Sequence, residues 1–237
     1  MKGKKTIGIT GASGALGKCL TRLFKSKGYK VIGFTHKQNR QKIEEDGPNE
    51  WIIWECGKEN LLKEKLENID LLILNHGFYE KNNTDLIENS LEINALSKFR
   101  IFRLFEQISL ARENLDQPNE IWINTSEAEL LPALNPSYEI SKSLIGQFIT
   151  YKRNFINNEQ SNKLKIRKII LGPFKSELNP IGIMPPSLVA NLIYLFSKTN
   201  FFLIIVSPNP ITYLIFTIKE FYFSLYYFLL KKLKINN

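Results

Sequence analysis

Cysteine is scarce in this chain, and no internal repeat or low-complexity tract occurs in it. The 237 residues include two cysteines, Cys19 and Cys56, which show neither a metal-ligand spacing nor a disulfide framework. No secretory signal precedes the first apolar run, which follows directly on the lysine-rich start of the chain. We therefore expect a cytoplasmic protein with reduced thiols and no bound metal.

Acidic residues are in deficit. Lys and Arg number 32 and Asp and Glu number 23, which gives a formal net charge of +9 at pH 7. The basic residues are scattered and no nucleic-acid-binding motif accompanies them, so a nucleic-acid partner is not expected. An anionic cofactor or an anionic membrane surface would be attracted by the same excess of positive charge.

The chain does contain a regular alternation of apolar runs and helical patterns. Continuous apolar runs predict strands buried on both faces at Thr6–Thr10, Lys30–Phe34, Trp51–Trp54, Leu71–Leu74, Ile121–Asn124, Ile166–Leu171 and Phe202–Val206. Helices are predicted at Ala15–Lys27, Glu59–Asn68, Leu86–Ser109, Pro136–Asn157 and Pro186–Ser197. This order predicts a doubly wound α/β fold with a parallel sheet. Its length fits one domain, 1–207, with a hydrophobic C-terminal helical extension, 208–237.

Glycines stand where a phosphate-binding turn needs them. Residues 10–17 read Thr-Gly-Ala-Ser-Gly-Ala-Leu-Gly, directly between the first strand and the first helix. Gly11 permits a tight turn, Gly14 lets the backbone approach a pyrophosphate, and Gly17 lets the helix pack close to the strand. Because free N–H groups at a helix start attract phosphate, this segment predicts a dinucleotide site on a Rossmann fold.

Tyr138 and Lys142 lie four residues apart on the helix that Asn135 and Pro136 begin, so they share one face of it. A phenol has a pKa of about 10 and is a poor acid near neutral pH. An ammonium group beside it stabilises the phenolate, so that a proton can pass to or from a substrate oxygen. The spacing alone is common on helix surfaces, and its meaning comes from the glycine turn that accompanies it.

With these motifs, residues 1–206 resemble the short-chain dehydrogenase/reductase family. The glycine turn is similar to the family's cofactor motif, and the segment from Tyr138 to Lys142 is similar to its catalytic helix. Leu74-Asn75-His76-Gly77 falls where the family has an Asn-Asn-Ala-Gly strand end, and the segment from Leu171 to Ser176 resembles the one after its sixth strand. His76, which we expect to fill space near the cofactor, and the inverted order Gly172-Pro173 mark a divergent member.

The resemblance implies a role for each matched residue. Tyr138 would protonate the substrate carbonyl and Lys142 would hold the nicotinamide ribose. Asn94 would anchor a water of the proton relay, and Ser126 would polarise the carbonyl. The cofactor-binding residues that the resemblance and the loop sequences imply are Gly11, Ser13, Gly14, Ala15, Leu16, Gly17, Thr35, His36, Lys37, Glu55, Asn75, Gly77, Tyr138, Lys142, Pro173 and Ser176.

The serine region departs from the family pattern. It reads Asn-Thr-Ser-Glu-Ala-Glu at 124–129, and Ser126 lies 12 residues before Tyr138, one fewer than is usual in the family. A shortened loop would bring Ser126 to the site, and we favour this register. In the other register Thr125 supplies the hydroxyl or Glu127 replaces it, and oxidoreductase chemistry would then be in doubt.

The end of the second strand predicts which nicotinamide cofactor binds. A site selective for NAD places a carboxylate there, but this chain has Thr35, followed by His36 and Lys37. A charge-assisted hydrogen bond to a 2′-phosphate contributes about 1.5–3 kcal/mol, or roughly one to two decades in affinity. We therefore expect NADP(H) to be preferred over NAD(H), with a solvated basic loop as the alternative. Glu55 resembles the family's adenine-contacting acid.

The C-terminal segment is almost wholly apolar from Ile211 to Leu230. As a helix it has one narrow polar stripe, formed by Thr217, Glu220, Ser224 and Lys231. The adjacent charges Lys219 and Glu220 argue against a transmembrane span. We expect peripheral membrane contact through 211–234, with Lys231, Lys232 and Lys234 near anionic head groups; packing on the core or across a homodimer interface is the alternative. The segment is similar to a divergent branch catalogued alongside sterol desaturases.

Together these features predict an NADP(H)-dependent oxidoreductase that interconverts a carbonyl and an alcohol. Its substrate would be small and hydrophobic, and reached from a membrane surface. The alternative is a non-catalytic NADP-binding sensor or assembly protein on a degenerate scaffold of this family. The loops near Phe78–Asn83 and Glu177–Pro185, which would select the substrate, carry no recognisable pattern.

Overall fold

The computed structural model describes residues 5–36, 46–79, 87–113, 117–156 and 158–235. Its strands are β1 (Thr6–Thr10), β2 (Lys30–Thr35), β3 (Glu50–Ile53), β4 (Leu71–Leu74), β5 (Asn119–Asn124), β6 (Leu164–Leu171) and β7 (Leu203–Val206). They form one sheet in the order β3-β2-β1-β4-β5-β6-β7, and every pairing is parallel. The predicted doubly wound α/β fold is confirmed.

The helices cover both faces of this sheet. They are α1 (Ala15–Ser26), α2 (Lys63–Leu66), α3 (Ile87–Leu91), α4 (Ser97–Ala111), α5 (Pro136–Phe155), α6 (Asn158–Ser161), α7 (Pro186–Ser197) and α8 (Pro210–Ile235). Shorter turns stand at Glu59–Leu62 and Glu127–Glu129, both 3₁₀, and at Glu92–Leu96, which is π-helical.

Two predicted helices differ from what the structure shows. The helix predicted over Glu59–Asn68 is a 3₁₀ turn followed by the single turn α2, because Leu62 and Leu66 reach the core while Leu61 stays exposed. The helix predicted over Leu86–Ser109 is interrupted by the π-helical turn between α3 and α4, and Leu86 lies outside the described residues. The other predicted strands and helices agree with the structure to within a few residues.

The sheet separates two hydrophobic cores. On one face Phe102 and Phe105 of α4 pack with Ile145 and Ile149 of α5. On the other face Leu20 and Phe24 of α1 pack with Val189 and Ile193 of α7. Because both faces of the central strands are covered, these strands read as unbroken apolar runs.

The C-terminal helix α8 lies against the domain next to α5 and β7. Its Phe216 is fully buried against Ile170 and Ile205. Within the described parts of the chain, no helix combines the length and apolarity needed to cross a membrane.

Candidate functional site

The candidate site lies at the carboxyl edge of the sheet, where β1 and β4 are neighbours although β2 and β3 intervene in the chain. Open parallel sheets bind ligands at such a switch point. The segments that follow β4, β5 and β6 meet there around a cavity of about 450 Å³. Predicted site residues that line this cavity are Asn75, Gly77, Ser126, Tyr138, Lys142, Pro173 and Ser176.

The glycine turn has the geometry of a phosphate cradle. Gly11 has a φ of 62°, and a Cβ there would lie 2.8 Å from the Cα of His76. A Cβ on Gly17 would lie 2.2 Å from the carbonyl oxygen of Gly11, so only glycine lets α1 approach the turn. Gly14 is the N-cap of α1, and neither a capping side chain nor an acidic residue occupies the first turn. The N–H groups at this helix start, around Ala15 and Leu16, therefore remain available to an anion.

The end of β2 presents a neutral surface to the cofactor site. Thr35 is buried, and its hydroxyl lies 3.1 Å from the hydroxyl of Ser13 in the glycine turn. His36 follows and is exposed. Lys37 falls outside the described residues, so its predicted contact with a 2′-phosphate stays a prediction. Glu55 is exposed and pairs with Lys58 at 2.7 Å, and this partner lowers the pKa of its carboxyl.

Helix α5 carries Tyr138 and Lys142 into the cavity. The Oδ1 atom of Asn135 accepts a hydrogen bond of 2.9 Å from the backbone N–H of Tyr138, which caps the helix and sets its phase. The Nζ atom of Lys142 lies 5.2 Å from the centre of the Tyr138 ring, and Lys142 is only 5% exposed. The ring of Tyr79 packs edge-to-face on Tyr138 at 5.2 Å. The phenol and the ammonium group are thus held side by side.

Asn94 sits in the π-helical turn, fully buried, and braces the segment after β4. Its Oδ1 accepts from the N–H of Phe78 at 2.8 Å. Its Nδ2 donates to the carbonyl of Phe78 at 2.9 Å and to the hydroxyl of Ser141 at 3.1 Å. A Cβ added at Gly77 would lie 3.2 Å from Asn94 Oδ1 and 3.7 Å from Lys142 Nζ, so these two residues converge beside Gly77. A π-turn at such a place is a common feature of functional sites.

The turn after β5 separates the three candidates for the substrate-facing hydroxyl position. Thr125 is buried and donates to Glu129 Oε2 at 3.2 Å. Glu127 accepts from Ser207 and Thr212, which lie just before and within α8. All three residues line the cavity, and among the described contacts the hydroxyl oxygen of Ser126 accepts a local hydrogen bond of 3.2 Å from the N–H of Ala128. Of the three side chains, that of Ser126 is the one whose described contacts are local, and its predicted contact with a substrate stays a prediction.

Two residues that the sequence did not single out complete the polar layer beneath the site. Lys98 is fully buried and donates from Nζ to the carbonyl of Asn124 at 2.8 Å. Asn124 in turn donates to Asn75 Oδ1 at 2.8 Å. Burial lowers the pKa of Lys98 well below its ordinary value, and the charge of Lys142 acts in the same direction. The available signal was the position of Lys98 one helical turn after Asn94.

His76 is buried in a polar environment. Its Nδ1 lies 2.7 Å from the hydroxyl of Thr10, and its ring packs edge-to-face on Trp54 at 5.2 Å. Burial holds the pKa of His76 well below 6.5, and the cations Lys98 and Lys142 lower it further.

Comparison with known proteins agrees with this geometry. The model of the NAD dependent epimerase/dehydratase family matches residues 7–112. A monoglucosyldiacylglycerol epimerase of Synechocystis sp. is 39% identical over 232 residues, which is 96% of this chain but 55% of that protein. The chain thus spans about half the length of this curated relative.

Solved structures share the fold at low sequence identity. A short-chain dehydrogenase of Burkholderia cenocepacia in complex with NADP superposes with a TM-score of 0.75 at 14% identity, over 90% of this chain and 92% of its own. Serine dehydrogenase of Escherichia coli gives a TM-score of 0.71 at 19% identity, over 87% and 98%. A short-chain dehydrogenase of Sphingobium yanoikuyae in complex with NADPH gives 0.70 at 14% identity, over 87% and 88%.

Proposed function

We propose that this chain, which shares the fold of short-chain dehydrogenases/reductases and matches the epimerase/dehydratase family model over residues 7–112, is a short-chain dehydrogenase/reductase and an NADP(H)-dependent oxidoreductase acting on a carbonyl/alcohol pair. The observation that carries the proposal is the convergence of Ser126, Tyr138 and Lys142 on one cavity. Asn94 braces its wall beside Lys142.

The residues present fit a dinucleotide. The uncapped start of α1 and the glycine turn, into which no Cβ fits at Gly11 or Gly17, would hold the pyrophosphate. Asn75, Gly77 and Lys142 would hold the nicotinamide end, and Thr35 and His36 the adenosine end. When bound, the nicotinamide supplies or accepts the hydride.

The protein's own residues would handle the proton and the carbonyl. Ser126 donates a hydrogen bond to the substrate oxygen, which stabilises the charge that develops there. Tyr138 gives a proton to that oxygen during reduction and takes it back during oxidation. Lys142 keeps a positive charge next to the phenol and so favours the phenolate that forms. The geometry of Ser126 favours this enzymatic role over the non-catalytic sensor.

The relative suggests a substrate class for this site. It is described as an epimerase of a glycosylated diacylglycerol, and we propose that this chain likewise acts on a secondary hydroxyl of a lipid-linked sugar. In an epimerisation the alcohol is oxidised to a ketone and then reduced on the opposite face, so hydride and proton both return to the substrate. Asn75, Asn124 and Ser126 provide a polar floor for a sugar, and Phe78, Leu131 and Phe174 provide apolar walls.

The experiment is to incubate the purified protein and NADP⁺ with monoglucosyldiacylglycerol deuterated at the reacting carbon. Separation of the glycolipids and mass spectrometry should find the epimer, together with deuterium on NADPH or retained on the product. Tyr138→Phe should bind the cofactor and form no epimer. Absence of both epimer and ketone in the parent protein, with cofactor binding intact, would contradict this substrate.

A further inference from the structure

Between Ile211 and Leu230 the outer face of α8 is formed mainly by apolar side chains. We define this outer face by Ile211, Leu214, Ile218, Phe221, Tyr222, Leu225 and Leu229, all of which are exposed. The two charged residues between Ile211 and Leu230, Lys219 and Glu220, point inward. A helix on a water-exposed surface ordinarily shows the reverse arrangement.

Buried ion pairs fix this orientation. Glu220 Oε1 accepts from Lys168 Nζ of β6 at 2.7 Å, with both side chains 1% exposed. Lys219 pairs with Glu129 at 2.5 Å, and Ser224 accepts from Arg153 at 3.1 Å. Rotating α8 to bury its apolar side would leave Lys168 and Glu129 short of partners inside the protein, which is costly. The apolar outer face is therefore built into the fold.

The mouth of the cavity is also apolar. Leu178 and Ile181 line the cavity, and Ile181 is 84% exposed. Leu134, which follows the lining residues 131–133, is 96% exposed and has a left-handed φ of 56°. A bulky residue rarely adopts that conformation. Glu139 Oε1 holds it by accepting from the N–H groups of Ala133 and Asn135 at 2.7 and 3.3 Å. We call Leu134, Leu178 and Ile181 the cavity rim.

The cavity and α8 are neighbours. Asn209 lines the cavity, and α8 begins at the next residue. Thr212, in the first turn of α8, and Ser207 both donate to Glu127, which also lines the cavity. The N-terminal end of α8, where the outer face begins at Ile211, therefore lies next to the cavity.

We propose that the cavity rim and the outer face of α8 form one surface that docks on an anionic bilayer and takes the substrate from it. Charge selects this occupant. The net charge of +9 and the exposed Lys231 and Lys232 at the end of α8 attract an anionic surface, whereas a second copy of the chain would bring like charges together. Aromatic side chains such as Tyr222 and Tyr226, stacked on the exposed side, suit the interfacial region of a bilayer. That the surface takes a substrate from the bilayer rests on the proposed function. That the surface docks on the bilayer does not.

Vesicle flotation of the whole chain tests the docking. We expect it to float with phosphatidylcholine vesicles that contain phosphatidylglycerol, more weakly with phosphatidylcholine alone, and less as salt is raised. Ile218→Asp and Phe221→Asp should each weaken binding about tenfold or more, because each removes an apolar side chain from the lipid. The matched control Leu61→Asp changes an exposed leucine elsewhere and should float like the parent. Circular dichroism checks that each variant is folded.

The rim has its own test. Leu134→Asp and Ile181→Asp should lower turnover of bilayer-embedded glycolipid much more than turnover of a short-chain, water-soluble analogue. Failure of the parent protein to float with anionic vesicles would overturn the proposal. So would a dimer in gel filtration that Phe221→Asp converts to a monomer, since the outer face would then be covered by a second copy. A protein that floats but never transfers hydride would leave the surface standing and remove the proposed function.

Discussion

At the scale of single residues, the proposed chemistry depends on a phenol and a hydroxyl whose surroundings differ from those of their neighbours. Tyr138 borders the cavity and has Lys142 Nζ beside its ring, while Tyr151, three turns later on α5, stacks on Phe155 at the surface. Ser126 and Thr125 both line the cavity, but the Thr125 hydroxyl donates to buried Glu129, whereas the Ser126 hydroxyl accepts from the nearby Ala128 N–H. Each pair therefore offers a functional residue with a matched control.

Replacing Tyr138 by phenylalanine should lower turnover by about two to four decades, because it removes a positioned acid. Cofactor binding should survive, since the phenol is not needed to hold the pyrophosphate. Tyr151→Phe should behave like the parent in both respects. Steady-state rates and cofactor titration measure these effects, and full activity of the phenylalanine variant at 138 would exclude Tyr138 as the proton donor.

Ser126→Ala should lower turnover by about two to three decades, as loss of one oxyanion donor does elsewhere, with little change in cofactor affinity. Thr125→Ser keeps the hydroxyl that donates a hydrogen bond to Glu129, and the turnover of this variant should stay close to that of the parent. Loss of activity only in Glu127→Gln, with Ser126→Ala active, would favour the other register of this turn.

His76 predicts a pH dependence of stability. Its native pKa is held well below 6.5 by burial and nearby cations, so below about pH 6.5 the unfolded chain binds a proton that the native state refuses. The free energy of unfolding should therefore be highest above this pH. It should fall as pH drops, with a slope for this site that approaches about 1.4 kcal/mol per pH unit.

Urea unfolding at a series of pH values from neutral to mildly acidic checks this dependence. His76→Asn should flatten the slope, and the exposed His36 provides the control, because His36→Asn should leave the slope as it is. Lys98 contributes with the same sign and is present in all three proteins, so the difference isolates His76. Equal slopes for the parent protein and His76→Asn would exclude this explanation.

At the scale of elements, α8 is joined to the domain by charges rather than by apolar contacts alone. Lys168 of β6 pairs with Glu129 after β5 and Glu220 of α8 at 2.6 and 2.7 Å, and Lys219 of α8 pairs with the same Glu129. Glu127 and Glu129 are the first and last residues of the 3₁₀ turn that Ser126 caps. Both accept hydrogen bonds from residues of α8. The unusual Ser-Glu-Ala-Glu sequence thus has a structural reason.

Breaking this buried cluster on one side should be costly. Lys168→Met removes the ammonium group that pairs with the buried carboxylates of Glu129 and Glu220. This change should lower the free energy of unfolding by about 3–5 kcal/mol. The double variant Lys168→Met with Glu220→Leu removes one of the stranded carboxylates and should recover part of the loss. Glu55→Gln, which breaks an exposed pair with Lys58, should cost less than about 1 kcal/mol. Additive effects in a denaturation-based double-mutant cycle would show that Lys168 and Glu220 are not coupled.

At the scale of the whole molecule, the same cluster makes α8 part of the folded domain. Removal of 211–237 would take Glu220 from Lys168 and Lys219 from Glu129, so truncation would confuse loss of stability with loss of membrane contact. Point substitutions on the outer face of α8 avoid this problem, because those side chains have little contact with the domain.

The preference for NADPH over NADH is also a property of the whole molecule, because it depends on the charges that surround the glycine turn. We expect NADPH to bind more tightly than NADH by about one to two decades, because Thr35 provides no negative charge and the following residues are basic. His36→Ala and Lys37→Ala should narrow this gap. Calorimetric titration of both cofactors measures it, and equal affinities in the parent protein would contradict the assignment.

Local patterns in the sequence determined most of the fold and the centre of the site. The strands, the glycine turn and the helix with Tyr138 and Lys142 follow from apolar runs, from glycine spacing and from an Asn-Pro helix start. Each of these acts over a few residues, where chain geometry leaves little choice. The sequence favoured the register of Ser126 but kept Thr125 and Glu127 as alternatives, because loop length alone does not say which side chain turns into the cavity.

Tertiary structure alone decided which side of α8 faces the domain, which residues Thr125 and Glu127 contact, and that Lys98 is buried. Periodicity located a polar stripe on α8 but did not show that Glu220 would meet Lys168, 52 residues away in the chain. Nor did it show that Glu127 would accept from Thr212, 85 residues away. A helical pattern reports which residues share a face. Which face is buried depends on the partners that the whole sheet brings together. Here Lys168 pairs with Glu220 of the polar stripe, so the apolar side of α8 faces outward.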